Sequence, residues 1–247
     1  MFLVGSSRRT WCRTVLAAVL GSLVLCGAAA AASTDPQVQI APADQSWAES
    51  IVLRAGDLGP GWKGSAAAES EPGGGTGAGC PELGTDESDL TITGGNSSPE
   101  FLRTSGAGGL VSSTAFTWQT AEQAQADWDR NVQPALLTCL ARSAQSASTK
   151  GLKIVVTAKR QLTYPAVAPR TAAYRLSLLY KTTVKIKKKR KKIAVPATVD
   201  FVALGNGRAT AILLVISFNR AALSETYKQS LATVMALRMA SDPNTTP

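Results

Sequence analysis

Three segments in the second half of the chain have the composition and spacing of β-strands. Residues 152–162 are rich in Ile, Val and Thr, and residues 174–186 and 195–203 carry apolar side chains at every second position. A period of two is typical of strands that bury one face. Residues 209–218 are mostly apolar without alternation, which indicates a central strand covered on both faces. This part of the chain therefore predicts about four neighbouring strands.

The connections between these strands are short. The run Lys187–Lys192 separates the second strand from the third and predicts a hairpin with a basic tip. The tripeptide Gly205-Asn206-Gly207 is a strong turn signal before the last strand. Because connections of hairpin length join antiparallel neighbours, the sheet is expected to be mainly antiparallel.

Three helices and one further strand are expected before and after these strands. The first helix spans about 44–55 and the last about 222–239. The second helix follows a strand over 110–118 and begins at the capping box Thr120-Ala121-Glu122-Gln123. Pro134 lies inside the second helix and should kink or restart it.

The expected fold class is α+β, with a mainly antiparallel sheet of about five strands, helices packed on it and one disulfide. Residues 44–240 are expected to form a single domain. Within it, the Gly-rich and acid-rich segment 71–109 is interpreted as a long surface loop. Residues 33–43 are expected to be a flexible leader, and residues 241–247 a tail.

The first 32 residues have the three parts of a secretory signal peptide. Three arginines precede the apolar stretch 15–26, and small residues follow it up to Ala32. A retained membrane anchor is the alternative, and twin-arginine export is a further option. Lipidation of Cys26 is disfavoured by the bulky Leu25 before it. The protein is therefore expected to be exported, and to be extracellular or associated with the cell envelope.

Export also bears on the cysteines. Removal of the signal peptide would leave only Cys80 and Cys139, and two cysteines in an oxidising compartment favour one disulfide. Two buried free thiols are the alternative. A disulfide would hold the Gly-rich and acid-rich segment against the second helix.

The chain has no histidine, which excludes His-containing triads, a His general base and His metal ligands. The mature chain also lacks the S-x-x-K and G-x-S-x-G motifs. Asp86, Glu87 and Asp89 lack the ligand pattern of a calcium loop. We therefore expect no enzyme activity, no cofactor and no metal. The alternative is a hydrolase without histidine, which would need acids that converge in a pocket with displaced pKa values.

The densest charge of the chain lies in and beside the expected hairpin tip. The candidate polyanion-binding residues are Lys185, Lys187, Lys188, Lys189, Arg190, Lys191 and Lys192. Such a run needs solvent or an anionic partner. Export leaves an anionic membrane surface or an acidic cell-wall polymer as partners, and no nucleic acid. The alternative is a solvated tip that prevents strand edges from pairing.

Four tryptophans suggest a second type of site. Trp47, Trp62, Trp118 and Trp128 lie in or beside the expected helices and strands. Core packing is one interpretation. The functional interpretation is an aromatic pocket between the helices and the sheet, with Arg208 as its polar group and a small apolar ligand as its partner.

Several short motifs lie in or beside the expected helices and strands. They are Leu53 with Asp57-Leu58-Gly59 and Gly61-Trp62, Trp118 with Ala121, Ala124 and Trp128, then Cys139, and Gly207-Arg208. Together they resemble exported actinobacterial envelope proteins, namely mycobacterial-type lipoproteins and the extracellular sensor domain of PknH-type receptor kinases. The resemblance covers most of residues 44–240 and implies an extracytoplasmic α+β ligand-binding or sensor-like module without a catalytic residue. The kinase sensor domains carry two disulfides, whereas the expected mature chain has cysteines for one.

The sequence thus predicts an exported, non-catalytic binding or sensor-like envelope protein. Its ligand would be a small molecule or a glycolipid, bound in a cleft between the helices and the sheet. The alternative is a surface-association protein that holds anionic lipid or wall polymer through the basic hairpin.

Overall fold

The computed structural model describes residues 35–65, 83, 86–104, 108–186, 189–218 and 223–244. Within these ranges the helices are α1 (Pro42–Ile51), α2 (Ala55–Leu58), α3 (Ala121–Asn131), α4 (Ala135–Ser146) and α5 (Glu225–Met239). The strands are β1 (Gln37–Val38), β2 (Lys63–Gly64), β3 (Thr91–Ser97), β4 (Phe101–Arg103), β5 (Gly109–Trp118), β6 (Leu152–Leu162), β7 (Arg170–Ile186), β8 (Lys189–Asn206) and β9 (Ala209–Phe218). The expected signal peptide lies outside the described residues.

The strands of the described ranges form one mixed, nine-stranded sheet. Its main order is β1-β3-β5-β9-β8-β7-β6, and β4 pairs with both β5 and β2. Strand β1 runs parallel to β3, whereas the other described pairs are antiparallel. The expectation of a mainly antiparallel sheet of about five strands was therefore wrong in the number of strands, and the sheet is mixed because it includes one parallel pair. The expected strands correspond to β5–β9, and the four additional ones, β1–β4, are short and lie N-terminal to them.

Strand β3 shows why these additional strands were missed. Its sequence, Thr-Ile-Thr-Gly-Gly-Asn-Ser, falls in the segment interpreted as a surface loop, yet its first four residues are buried. A Cβ atom on Gly94 would lie only 2.6 Å from the backbone of Asp44. The strand is therefore buried because its glycine lets the backbone of α1 approach closely, and not because it carries a stripe of large apolar residues.

Helices cover both faces of the sheet. On one face α1 and α5 pack against β5, β8 and β9 in a core that includes Ile51, Leu213 and Met235. On the other face α4 packs against β6, β7 and β8, and α3 lies over the end of β5. This arrangement confirms that residues 209–218 form a central strand covered on both sides.

The boundaries of the middle helices follow local signals in the sequence. Thr120 caps α3 by accepting a hydrogen bond from the backbone N–H of Gln123 at 3.2 Å. The expected long helix ends at Asn131 and restarts at Ala135, directly after Pro134, so the interruption at this proline is confirmed. Among the described residues, no helix is both long enough and apolar enough to cross a membrane.

The expected disulfide is not part of the described fold. Cys139 lies in α4, is only 1% exposed and packs with Leu136 and Tyr174. Its expected partner, Cys80, lies outside the described residues, so the described ranges contain no pair of cysteines. The fold is therefore an α+β arrangement around a nine-stranded mixed sheet, and the five-strand description is corrected accordingly.

Candidate functional site

A narrow cavity, called here the tryptophan cavity, lies between α3, the start of α4 and the sheet. Its main apolar walls are Phe116, Trp118, Trp128, Leu136, Phe201 and Ile212. Its polar groups are Glu87, Asp127, Asn131 and Thr210. The space that the centre of a water molecule can reach is about 40 Å³, which is room for roughly three waters.

Two of the four candidate tryptophans wall this cavity. Trp118 ends β5, is 3% exposed and donates from its ring nitrogen to the hydroxyl of Thr210 at 2.9 Å. Trp128 lies in α3 and is half-buried. The guanidinium of Arg170 lies 5.7 Å from the centre of the Trp128 ring. The strand end and the following helix thus present two large aromatic rings to the same space.

Glu87 and Asp127 form an acid pair in the cavity, joined by one amide. The side-chain nitrogen of Asn131 donates to a carboxylate oxygen of Glu87 and to one of Asp127, each at 2.8 Å. Glu87 is 5% exposed and Asn131 is 7% exposed. A buried carboxylate is costly unless a charge or hydrogen bonds compensate it. Here the side-chain donors are neutral, namely the amide of Asn131 for both carboxylates and the hydroxyl of Thr210 for Asp127.

Burial raises the pKa of Asp127 from 3.8 to about 7. The negative charge of Glu87 acts in the same direction, whereas hydrogen bonds to Asn131 and Thr210 and the charge of Arg170 oppose the rise. At neutral pH, Asp127 is therefore close to the midpoint of its titration. The cavity is rich in hydrogen-bond acceptors and can exchange a proton in the physiological range.

The sequence contains a signal for one member of this acid pair. Asp127 and Asn131 stand four residues apart on the face of α3 that also carries Ala124 and Trp128. An acid and an amide at this spacing on an otherwise apolar face lie close together and both point inward. Glu87 had no comparable signal, because only the fold brings residue 87 to this helix.

The other two tryptophans lie away from the cavity. Trp47 is 4% exposed in the core and donates to the backbone carbonyl of Arg238 at 3.1 Å. Trp62 stacks on Tyr227 with ring centres 6.2 Å apart, and the guanidinium of Arg103 lies 5.2 Å from the centre of the Trp62 ring. The structure thus brings together only Trp118 and Trp128 of the four.

Arg208 also lies outside the cavity, in a cluster of ion pairs. Its guanidinium binds Asp44 through two hydrogen bonds of 2.9 and 3.0 Å. It binds Asp242 through two more, of 2.8 and 3.1 Å. These hydrogen bonds raise the pKa of Arg208 further above its usual value. With two carboxylates and the ring of Trp47 already around it, Arg208 holds the chain termini of the described fold together.

A second group of buried charges, called here the ion cluster, was not anticipated from the sequence. Lys228 is 1% exposed in α5 and binds the carboxylates of Asp200 and Glu225. Arg175 binds the same two carboxylates. Two cations thus face two anions, an arrangement that neutralises itself and leaves no charge for a ligand.

The β7–β8 hairpin extends beyond the sheet as a two-stranded basic ribbon, formed by residues 183–186 and 189–196. Strand β6 pairs with β7 only as far as Thr182, and β9 pairs with β8 only from Ala197. Arg190, Lys191 and Lys192 are exposed on it. Of the candidate polyanion-binding residues, Lys187 and Lys188 lie outside the described ranges, and Lys185 and Lys189 face Arg190 and Ile186 in the strand register.

An open groove, called here the lysine groove, lies at the base of the ribbon. It is lined by Lys153, Lys181, Lys192, Thr149, Thr182 and Thr183, among other residues, and its volume is about 450 Å³. Its charged groups are all cations. Sequence reasoning missed Lys153 and Lys181 because strand register, and not chain proximity, brings them beside Lys192.

The three neighbouring acids Asp86, Glu87 and Asp89 form hydrogen bonds with different partners. Asp86 accepts hydrogen bonds from Ser88, Asp89 binds Arg130, and Glu87 enters the tryptophan cavity. Across the described residues, no three Asp, Glu or Cys side chains form a group that could hold a metal ion.

Comparison with known proteins gives few matches. No protein-family model matches the chain, and no curated protein matches it. Among solved structures, the chain is similar to the extracellular domain of PknH from Mycobacterium tuberculosis, with a TM-score of 0.40 and 8% sequence identity. The match covers 78% of this chain and 95% of that one.

Proposed function

We propose that this protein is an exported, non-catalytic binding protein that takes the end of a slim ligand into the tryptophan cavity. The observation that carries the proposal is an apolar crevice between two tryptophans that also contains an acid pair whose side-chain hydrogen-bond donors, Asn131 and Thr210, are both neutral. Small-ligand sites commonly combine apolar walls with a few convergent polar groups of perturbed pKa. Export rests on the signal-like pattern of residues 1–32.

The polar groups of the cavity indicate the chemistry of the ligand. One amide nitrogen already serves both carboxylates, so each carboxylate keeps an oxygen that can accept another hydrogen bond. A ligand that brings a hydroxyl or an ammonium group satisfies these acceptors, whereas a ligand carboxylate adds a third negative charge. A small free ligand and a glycolipid share this chemistry of apolar body and hydrogen-bond donor.

Binding is favoured over catalysis by the size of the cavity. Two carboxylates close together are the arrangement that hydrolases without histidine use. Such an enzyme needs room for a substrate bond and an attacking water, whereas about 40 Å³ holds only a few atoms. The amide of Asn131 also occupies one oxygen of each acid. The acid pair is therefore assigned to ligand recognition.

The tryptophans provide a test with a built-in control. We would follow the indole N–H signals of the full-length protein by NMR during titration with n-butanol, n-butylammonium and butyrate. Butanol and butylammonium should shift the signals of Trp118 and Trp128 and leave those of Trp47 and Trp62 in place. Butyrate should shift none of them, because its charge faces the acid pair.

A cavity-filling variant makes this test sharper. Ala203→Val adds two carbon atoms to the cavity wall and should abolish the shifts of Trp118 and Trp128. Ala197→Val lies on the same strand, outside the cavity lining, and should leave them unchanged. The proposal is wrong if none of the three probes moves these two signals, or if Trp47 and Trp62 respond equally.

A further inference from the structure

The basic ribbon and the lysine groove repeat one unusual feature, which is like charge placed directly opposite like charge. Lys153 pairs with Lys181 in the register of β6 and β7, and Lys185 pairs with Arg190 in the register of β7 and β8. Like charges directly opposite each other destabilise a sheet. The fold therefore bears a cost here that only solvent or an external anion can offset.

Within the described residues, no ion pair offsets this cost. Residues 130–199 contain 16 Lys and Arg residues and no Asp or Glu. The ion pairs of the described residues involve other cations, on the body of the fold. Lys153, Lys181, Arg190, Lys191 and Lys192 are all exposed, so their ammonium and guanidinium groups are available to a partner.

The lysine groove has the donors that phosphate oxygens require. Three lysines supply charged N–H groups, and Thr149 and Thr183 supply hydroxyl groups beside them. The hydroxyl of Thr182 already donates to the backbone carbonyl of Gly151 at 2.7 Å. No carboxylate lines the groove to repel an anion. Hydrogen bonds from cations to phosphate are among the strongest in proteins, so the groove favours a phosphate ester over an uncharged polar group.

The spread of the charge indicates an extended partner. The ribbon continues past Thr182 for four paired positions, roughly 13 Å at the usual rise of a strand. Arg190, Lys191 and Lys192 are consecutive on β8, so their side chains alternate between its two faces. A single phosphate can neutralise only the lysines of the groove, and a linear polymer can contact the cations on only one face of the ribbon. If the tip of the ribbon enters a plane of phosphates, the cations on both of its faces contact phosphate.

We propose that the lysine groove and the basic ribbon dock this protein onto a bilayer surface that carries anionic phospholipid headgroups. The groove holds one headgroup phosphate, and the ribbon places its remaining cations among the neighbouring headgroups. This docking surface is separate from the tryptophan cavity and does not depend on the ligand proposed for the cavity.

Co-sedimentation with vesicles tests the proposal. Full-length protein would be mixed with phosphatidylcholine vesicles that contain either no or 40% phosphatidylglycerol, at about 20 mM and about 300 mM salt. We expect the anionic vesicles to bind more protein than the neutral ones at low salt, and the difference to vanish at high salt. Neutral vesicles control for any binding through the apolar segment near the N-terminus.

Paired variants locate the binding surface. Lys181→Gln with Lys192→Gln should weaken binding to anionic vesicles roughly 25-fold, since each cation near an anionic leaflet contributes about fivefold. Arg54→Gln with Lys63→Gln removes the same charge from exposed positions outside the ribbon and groove and should have little effect. Lys181→Arg with Lys192→Arg keeps the charge and should preserve binding. Thermal unfolding of each variant verifies that it is folded.

Three results would overturn the proposal. The first is equal binding to neutral and anionic vesicles at low salt. The second is an equal loss of affinity in the Arg54/Lys63 and Lys181/Lys192 variants, which would show a net-charge effect without a docking surface. The third is tighter binding to soluble polyphosphate than to anionic vesicles at equal phosphate concentration, which would assign the surface to a linear polyanion instead.

Discussion

Carboxylates are buried on both faces of the sheet, but they meet different partners. On the face covered by α1 and α5, Asp44 binds Arg208, and Asp200 binds Arg175 and Lys228. On the face covered by α3 and α4, Glu87 and Asp127 meet only neutral side-chain donors, namely the amide of Asn131 and, for Asp127, the hydroxyl of Thr210. The first arrangement is complete without a ligand. The second leaves acceptors that a ligand can fill, which is why the site is assigned to the second face.

The two faces also differ in how they respond to protons. Burial alone would raise the pKa of Asp44, but hydrogen bonds from Arg208, Thr93 and Asn244 and the charge of Arg208 hold it below 3.8. For Asp127, burial prevails and the pKa rises to about 7. The stability contributed by Asp44 is therefore present above its unfolded-state pKa and is lost as the pH falls. The folded state instead becomes less stable as the pH rises from about 4 to 7 because of Asp127.

Removing an anion from the face covered by α1 and α5 should have the largest effect on the stability of the fold. We expect Asp200→Ala to lower the free energy of unfolding by about 3–5 kcal/mol, because Lys228 and Arg175 then share only the half-exposed Glu225. Urea unfolding followed by tryptophan fluorescence measures the change. Glu225→Ala removes an exposed anion of the same ion cluster and should cost less than about 1 kcal/mol. Equal losses in both variants would show that burial does not decide the energetics here.

Neutralising an acid on the face covered by α3 and α4 should change the free energy of unfolding in the opposite direction. We expect Asp127→Asn to raise the free energy of unfolding at pH 8 by at most about 4 kcal/mol, the value that corresponds to a pKa displaced by about three units. The gain should become small at about pH 4, where the carboxyl is protonated in the folded state and about half protonated in the unfolded state. Urea titrations at several pH values between 4 and 8 measure the profile.

A neighbouring acid on the same helix is the control for this profile. Asp129 lies two residues further along α3 and is exposed, so Asp129→Asn should change stability by no more than about 0.5 kcal/mol at any of these pH values. If Asp127→Asn destabilises the protein at pH 8, the carboxylate of Asp127 is better compensated than its neutral donors indicate. The contrast between the two faces would then fail.

The contrast also explains which parts of the molecule the sequence could predict. Strands β5–β9, the turn at Gly207 and the break at Pro134 follow from periodicity and turn chemistry, which are local properties of the chain. Strand β3 does not follow from them, because the close approach of α1 to Gly94 is a tertiary contact. Local pattern therefore identifies the long strands and fails for the strand that backbone packing buries.

The candidate site follows the same division. Trp118 and Trp128 could be proposed because a strand end and the next helix bring them together over a short distance in the chain. Arg208 could not be placed, because its partner Asp44 is 164 residues away in sequence. Glu87 entered the cavity for the same reason, from 44 residues before Asn131. The sequence pattern shows which side chains are able to bind a ligand. Ion pairs and hydrogen bonds between residues far apart in the chain decide which of these side chains keep free donors or acceptors.

The lysine groove should give the smallest effect on stability, and this distinguishes it from both faces of the sheet. Its three lysines are exposed, unlike Asp127, and they form none of the ion pairs found among the described residues, unlike Arg208. We expect the Lys181→Gln and Lys192→Gln pair to change the free energy of unfolding by no more than about 0.5 kcal/mol, with the sign of a gain, because it relieves repulsion between Lys181 and Lys153. The gain should shrink as salt is added. A loss of more than about 1 kcal/mol in urea unfolding would mean that these lysines support the fold, and their conflict with one another would no longer indicate an external anion.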